Sequence, residues 1–462
     1  MPVKHYDLLV VGSGPGGQKA AIAAAKLGKS VGLIERKPYL GGVSLQTGTI
    51  PSKALREAAF LASRFASRGM REDHSKGILK QNFLADAIKK KDRIIKQKES
   101  LLLKQLMSHG VSIIPGEASF IDPHTLMVKN STKNDCQLHA DYIVLATGSR
   151  PRRPKEIPFD KERVLDSTSI MQLKQLPENM LIIGGGVIAC EFATIFAPLG
   201  VDISIIDSHE QILAYLDNDI AENLSVHMRD MGIKLHMQSR VTQVQRHDNQ
   251  VQVQTDTGKS FEVDAILYAL GRQPNYDKLN IDHAGLVNND NGWIPINSEH
   301  QTSHPHIYII GDLAGSPALA STAMQQGLKV AHHAFKKKLN SSNSILPMAI
   351  YTIPELSYIG STERELQQQN IAYITGKAHY AETARGQIIG DDLGMLKILA
   401  DKVDRKILGV HIIGESASEL IHIAQIAMHC QMTVDQLADN IFNYPTLAEC
   451  YKTAALSCLE QI

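Results

Sequence analysis

Two acidic side chains, Glu35 and Asp207, each follow a glycine-rich turn at the same interval. Gly12-Ser13-Gly14-Pro15-Gly16-Gly17 precedes the first and Gly184-Gly185-Gly186-Val187-Ile188-Ala189 the second, and in both copies the acid lies 23 residues after the first glycine. That combination binds dinucleotides. Gly12 and Gly184 permit a tight turn. Gly14 and Gly186 let backbone N–H groups approach a pyrophosphate at the positive end of a helix. Gly17 and Ala189 allow close helix–strand packing, and Glu35 and Asp207 can accept hydrogen bonds from a ribose diol. One such match alone can be a plain glycine turn; two with matched spacing imply two nucleotide sites.

The turns need particular elements around them. Residues 6–11 read as an apolar strand, the Ala-rich run 20–26 as a helix, and residues 30–34 as a second strand ending at Glu35. The pattern returns with strands at 181–183 and 203–206. Between the two copies, a helix is expected over about 84–109, with Ile88, Ile94, Ile95, Leu101, Leu102 and Met107 on its apolar side. From residue 346 the character changes: strand-like runs at 397–400 and 407–413 and a helical run at 419–428 indicate a third, α+β unit.

Composition narrows the partners. Lys+Arg and Asp+Glu both number 48 of 462 residues, so no net field draws the chain to nucleic acid or an anionic membrane. The triplets 89–91 and 336–338 read as solvated lysine faces. No apolar stretch is long enough to span a bilayer, and residues 1–6 are too short for the charged region of a signal peptide, so a cytoplasmic protein is expected. The five cysteines, Cys136, Cys190, Cys430, Cys450 and Cys458, show no paired spacing. The 19 histidines, His304/His306, His332/His333 and His429 among them, form no recognisable metal-ligand set.

Four further motifs appear in order: Gly41-Gly42 ahead of Gly48-Thr49-Ile50-Pro51-Ser52-Lys53; Ala146-Thr147-Gly148 closing a strand; Gly271-Arg272-Gln273-Pro274-Asn275; and Tyr308-Ile309-Ile310-Gly311-Asp312 with Ala320 eight residues on. This set, spread over essentially the whole chain, resembles the class I pyridine nucleotide–disulfide oxidoreductases. The resemblance implies an α/β protein with two Rossmann-like domains and a C-terminal α+β dimerisation domain. Its expected boundaries are 1–155 and 276–345 for a split FAD domain, 156–275 for the NAD(P) domain and 346–462 for the interface of a homodimer. By the same resemblance FAD would be held by Gly12, Gly14, Gly17, Glu35, Arg36, Gly42, Ser44, Thr49 and Lys53, and further along by Ala118, Thr147, Gly148, Asp312 and Ala320. The pyridine nucleotide would meet Gly184, Gly186, Ala189, Glu191, Asp207 and Gly271. Lys53, paired with Glu191, would tune the flavin.

What departs from the family is as informative. A redox-active CxxxxC pair belongs at the positions of Ser44 and Thr49, and a hydroxyl cannot form a disulfide. The family's C-terminal His-Pro-Thr-x-x-Glu reads Tyr444-Pro445-Thr446-Leu447-Ala448-Glu449 here. A phenol, which ordinarily loses its proton near about pH 10, is a poor proton shuttle; Glu449 is expected to orient Tyr444. The 48–53 loop, residues 442–446 and residues 350–355 resemble the soluble transhydrogenase members, although those usually keep a cysteine where Ser44 stands. The resemblance implies a Si-specific ping-pong hydride exchange between NADPH and NAD+, at one nicotinamide pocket. A diaphorase passing electrons to a quinone is the alternative, and a flavin-binding protein without catalysis a more distant one. Asp207 sits where it would repel a 2′-phosphate, and Ser208 and His209 stand where NADP-preferring relatives carry arginines, which leans toward NAD(H).

Overall fold

The computed structural model describes residues 3–67, 76–130, 134–339 and 345–461. The chain divides into two compact units, one formed by Met1–Ala54, Phe83–Arg153 and Gly271–Asn340, the other by Leu55–Asn82, Pro154–Leu270 and Ser341–Ile462.

The first unit is built on a seven-stranded sheet. Lys4–Val11 lies at its centre, parallel to Val31–Glu35 on one side and to Cys136–Leu145 on the other. The near-continuous apolar run Leu8–Val11 suits a strand covered on both faces, and all four residues are buried. Cys136–Leu145 changes partner along its length: its first half pairs antiparallel with Thr125–Lys129, its last three residues parallel with Ile307–Ile309. The helix Pro15–Lys26 carries Ala20, Ala21, Ala23 and Ala24 on its buried face, and small side chains let the helix Ala320–Ala334 approach closely. Gly327 marks the closest point, since a Cβ there would strike the Gly16 carbonyl oxygen.

The helix expected over 84–109 runs instead from Lys76 to Ser108. Its buried side is Leu84, Ala87, Leu102 and Leu106, whereas Leu101 and Met107 are exposed. Each residue turns about 100° around a helix, so Leu101 and Leu102 cannot both face inward, and only the tertiary partner decides between them.

The second unit contains a five-stranded parallel sheet in the order Lys234–His236, Asp202–Ile206, Asn179–Ile183, Ala265–Tyr268, Val164–Asp166. A three-stranded antiparallel meander, Val241–Arg246 to Ser260–Val263, accompanies it. Its other half is a five-stranded antiparallel sheet in which Ile407–Ile413 and Met395–Asp401 are central. The helices Ala417–His429, Val434–Asp439 and Glu449–Leu459 cover that sheet through one apolar cluster including Ile398, Ile412, Ile421, Tyr451 and Ala454. The two halves are joined by an ionic cluster. Lys397, fully buried, places its Nζ 2.7 Å from Asp217, 2.7 Å from Asp219 and 3.3 Å from Glu363. A mixed sheet with a parallel centre, a parallel sheet, both of nucleotide-binding type, and an α+β unit are the expected fold class.

Candidate active site

In the first unit the strand Lys4–Val11 runs into Gly12, whose φ of +105° is a glycine conformation. A Cβ there would strike the Ala146 carbonyl, and one on Gly17 would strike the Gly12 carbonyl. Gly14 is the N-cap of the helix Pro15–Lys26; no side chain caps that helix, and open space lies where a Cβ of Gly14 would be. Gly42 approaches from the opposite side, its virtual Cβ 2.8 Å from Gly14 Cα. The first-turn N–H groups are thus left uncapped beside a cradle that side chains at 14 or 42 would fill, a geometry that fits a pyrophosphate.

Glu35 lies at the end of its strand, buried. Its Oε2 accepts hydrogen bonds from Ser13 N (3.0 Å) and Ser13 Oγ (2.6 Å), and its Oε1 from Lys37 N (2.9 Å). Ser13 Oγ in turn accepts from Gly41 N at 3.0 Å. The acid therefore braces the glycine turn, and its remaining lone pairs are what a ribose could use. Arg36 reaches Glu117 at 3.4 Å, which Lys278 also contacts at 3.0 Å, and Ala118 is buried in the adjoining strand position.

A second set of residues closes the same unit. Thr147 and Asn275 are doubly tied, Thr147 Oγ1 donating to Asn275 O (2.6 Å) and Asn275 Nδ2 to Thr147 O (3.0 Å), while Asn275 N donates to Gly148 O. Asp312, in the turn Gly311–Leu313, accepts from Ser149 Oγ at 2.6 Å. Ser149 is itself held by Arg272, whose Nε donates to the hydroxyl (2.8 Å) and Nη2 to the carbonyl (2.9 Å). Gln326 accepts from Gly311 N at 2.7 Å, one helix turn and a half beyond Ala320, the first residue of that helix. Ser13, Ser149, Asn275 and Gln326 carry this geometry, and no periodicity or composition distinguishes them. Ser13 and Asn275 lie inside motifs that the sequence does show and Ser149 adjoins a third, which is the one signal available.

Ser44 lies in the short helix Gly42–Gln46, Thr49 opens the helix Thr49–Ser67, and Lys53 follows one turn later, partly buried. Gly271, expected to close the second nucleotide fold, belongs to the first unit, because Arg272–Pro274 pairs antiparallel with Ser149–Pro151.

The second unit repeats the turn. Gly184 has φ +116°, and Gly186 is an N-cap without a side-chain bond or any atom near its virtual Cβ. Ala189 is fully buried against the sheet. Asp207 is the counterpart of Glu35: its Oδ2 accepts from Gly185 N at 2.5 Å, while its Oδ1 accepts from His209 N at 2.7 Å and meets His209 Nδ1 at 2.5 Å. Glu191, buried on the helix Val187–Phe196, accepts from Tyr351 N at 2.9 Å, and Thr194 accepts from Ile353 N at 3.1 Å, so this helix anchors the segment 351–353. Cys190, just before Glu191, is a buried thiol; burial first, then the charges of Glu191 and Asp207, push its pKa well up and leave it inert.

At the C-terminal end the expected pairing is not made within the chain. Tyr444 is 74% exposed, and Glu449 Oε2 is buried without a hydrogen-bond partner. Glu449 opens the helix Glu449–Leu459, Tyr444 lies in the preceding loop, and no hydrogen bond joins the two within one subunit. All five cysteines are free thiols, and Cys136 is the sole one in the first unit. Burial raises Cys450 and Cys458 to about 12.

Comparison with known proteins agrees with this geometry. The family model "Pyridine nucleotide-disulphide oxidoreductase" matches residues 6–327, and the dimerisation-domain model of the same family matches residues 346–455. A relative named soluble pyridine nucleotide transhydrogenase, from Mycobacterium bovis, is 42% identical over all of this chain and 98% of its own. Its namesakes from Photorhabdus laumondii and Yersinia pestis are 38% and 39% identical over 99% of both chains. Among solved structures, the Cu(II) complex of a HOCl-induced flavoprotein disulfide reductase from Escherichia coli superposes with a TM-score of 0.88, at 26% identity and 99% coverage of both chains. Two glycine cradles, each braced by an acid at the same interval, and full-length likeness of this strength place the chain in the pyridine nucleotide-disulphide oxidoreductase family.

Proposed function

We propose that the protein is an FAD-dependent transhydrogenase that moves a hydride between NADPH and NAD+ and works as a homodimer in the cytoplasm. The observation that carries the reading is the pair of hydroxyls, Ser44 and Thr49, between Gly42 and Lys53 in a unit whose single cysteine is Cys136. With one thiol the unit cannot form an internal disulfide, so electrons that arrive from a nicotinamide have no sulfur relay to leave by. The family's dimerisation domain supports the homodimer, and the name and full-length identity of the curated relatives support the substrate pair. Residues 1–155 and 276–345 serve as the FAD domain, 156–275 as the NAD(P) domain and 346–462 as the dimer interface.

Bound FAD supplies the two-electron carrier that a nicotinamide can reach. The chain's own residues do the positioning. The cradle of Gly12, Gly14, Gly17 and Gly42 holds the pyrophosphate on uncapped N–H groups. Glu35 accepts from the ribose, with Arg36 and Ala118 beside it. Thr147, Gly148, Asp312 and Ala320 line the path of the ribityl chain, Ser44 and Thr49 contribute hydroxyl donors, Lys53 sets a cation at the reacting end, and Glu191 adds a carboxylate on the helix Val187–Phe196. Gly184, Gly186, Ala189 and Asp207 receive the pyridine nucleotide, and Gly271 shapes the exit from its domain. Hydride transfer requires the two reacting atoms roughly 3–3.5 Å apart, so catalysis is chiefly orientation. A hydride enters and leaves, no proton is left over, and the family's histidine is dispensable; Tyr444 and Glu449 shape the pocket from the partner subunit.

The test is anaerobic mixing of NADPH with a spectrally distinct NAD+ analogue. Reduction of the analogue far above the free-flavin rate is expected, and its absence, with turnover on a quinone instead, would replace the reading by a diaphorase. NADPH deuterated at the pro-S position checks the Si-face expectation by passing its label to the product. Ser149→Ala has an expected effect of its own: losing one hydrogen bond to the Asp312 carboxylate weakens FAD binding by about 1.5–3 kcal/mol. Titration of apoprotein with FAD reads this directly, and an unchanged dissociation constant would remove Ser149 and Arg272 from the positioning of Asp312.

A further inference from the structure

In the second unit, the segment between Asp207 and the helix Asn218–Asp230 wraps the middle glycine of the cradle. Gly185 N donates to Asp207 Oδ2 at 2.5 Å, and Gly185 O accepts from Leu213 N at 2.9 Å, so this one segment takes both backbone polar groups of the glycine. Leu213 does so in a left-handed conformation, φ +47°, which a leucine avoids because its Cβ crowds the following carbonyl oxygen. Strain of this kind persists only where the surroundings hold the residue in place. Burial of Ile212, Leu213 and Leu216 supplies part of that hold.

The rest comes from the antiparallel-sheet half of the same unit. Arg364, an exposed residue of the short helix Glu363–Gln368, donates from Nη1 to Ala214 O at 2.9 Å and from Nη2 to Asn218 Oδ1 at 2.8 Å. Its guanidinium bridges the residue that follows Leu213 and the first residue of the next helix. Glu363 N donates to Asp217 Oδ2 at 3.3 Å, and Lys397 Nζ holds Asp217 Oδ1 at 2.7 Å. Lys397 and Glu363 thus secure the end of the segment, and Arg364 grips it beside the strained leucine.

We propose that Arg364 is a positioning residue for the pyridine-nucleotide cradle. By holding Ala214 O it keeps Leu213 in its strained conformation and Gly185 in place, so the half that matches the dimerisation-domain model also sets nucleotide affinity. This role rests on the reading of the second unit as the pyridine-nucleotide site. Without the guanidinium, Leu213 relaxes toward negative φ, its N–H turns away from Gly185 O, and the glycine turn loses one of its two braces. A planar fork spans two acceptors at once, whereas an ammonium is a point charge that serves one of them well. Arg364 acts through backbone and not on the reacting atoms, so it governs binding of either nucleotide and leaves the hydride step of the bound complex unchanged.

The experiment compares the wild type, Arg364→Ala and Arg364→Lys as oxidised holoenzymes. Titration calorimetry gives the dissociation constants of NAD+ and NADP+, and stopped-flow absorbance gives the limiting rate of flavin reduction by NADPH. Arg364→Ala should weaken both nucleotides about tenfold, the size of a lost charge-assisted hydrogen bond, with a limiting rate within about twofold of wild type. Arg364→Lys, which still reaches Ala214 O, should recover part of the affinity. Hydrogen exchange over residues 208–217, measured without nucleotide, should quicken in Arg364→Ala, while FAD content stays at the wild-type value. Dissociation constants within about twofold of wild type, or unchanged exchange over that segment, would overturn the proposal and leave the nucleotide site in place. An equal fall in affinity and limiting rate, with no recovery in Arg364→Lys, would assign the arginine to general folding and overturn it as well. Failure of the wild type to bind either nucleotide would overturn both the proposal and the site.

Discussion

Lys397→Met is expected to destabilise the second unit by about 3–5 kcal/mol, the range seen when one member of a buried ion cluster is removed and its partners are left uncompensated. Lys397 is fully buried, and three carboxylates face its ammonium. Among the described residues Asp217 has no second cation: it otherwise caps the helix Asn218–Asp230 through Asp219 N and accepts from Glu363 N at 3.3 Å, and it is as deeply buried as the lysine. Asp219 keeps Lys377 at 2.8 Å, so the loss falls mainly on Asp217. Thermal or denaturant unfolding of the FAD-loaded protein reads the effect, and a midpoint equal to wild type would show that the cluster is worth little.

The pH behaviour of the cluster has a definite sign. Burial opposes ionisation of Asp219, but the hydrogen bonds from Lys377 and Lys397 outweigh it and hold the carboxyl below its ordinary value. Burial likewise opposes the charge on Lys397, and the bonds to Asp217 and Asp219 hold it above the ordinary lysine value of 10.5. A depressed acid contributes stability above its unfolded pKa and loses it as pH falls through the folded value; a raised lysine loses its contribution only on the far alkaline side. The cluster is therefore intact across the neutral range and yields first to acid.

Gly327→Val should cost the protein its FAD. Gly327 lies inside the helix Ala320–Ala334, where an alanine would be favoured by about 1 kcal/mol on helix propensity alone. The propensity loses, because the obstacle is backbone: a Cβ at 327 meets the Gly16 carbonyl oxygen and lies 3.0 Å from Ala20 N. Backbone cannot swing aside as a side chain can, so the two helices must separate. Overpacking of this kind costs about 1–3 kcal/mol, and a branched residue adds two more methyl groups. The helix that would be displaced, Pro15–Lys26, carries the uncapped N–H groups of the cradle. The flavin-to-protein absorbance ratio of the purified variant is the measurement; full flavin occupancy would mean that helix spacing does not govern the cradle. Gly327→Ala should fall between, with partial loss.

These two sites show where reading the chain and seeing it folded part company. The glycine turns, the acids 23 residues behind them and the motifs at 48–53, 146–148, 271–275 and 308–312 are local: each requires a conformation or a close approach within a few residues, and that demand is written into residue type and spacing. The same holds for the absence of a cysteine pair at Ser44 and Thr49. The strands that the alternation of apolar residues predicts appear within two residues of the expected limits.

What the local pattern could not contain are pairings across long sequence separations. Lys397 meets Asp217 across 180 residues, Ser149 meets Asp312 across 163, and Gly327 meets Gly16 across two segments of a split unit. In the sequence, Lys397 is one apolar-strand residue out of phase and Gly327 a weak spot in a helix. The tertiary structure also settles which side of the helix Lys76–Ser108 is buried, since adjacent leucines compete for the inward direction. The acids illustrate both halves of the lesson: spacing alone brings Glu35 and Asp207 to the ends of their strands, but only the folded turn reveals that each spends an oxygen on the backbone N–H following its first glycine, and that at Asp207 an imidazole occupies the other.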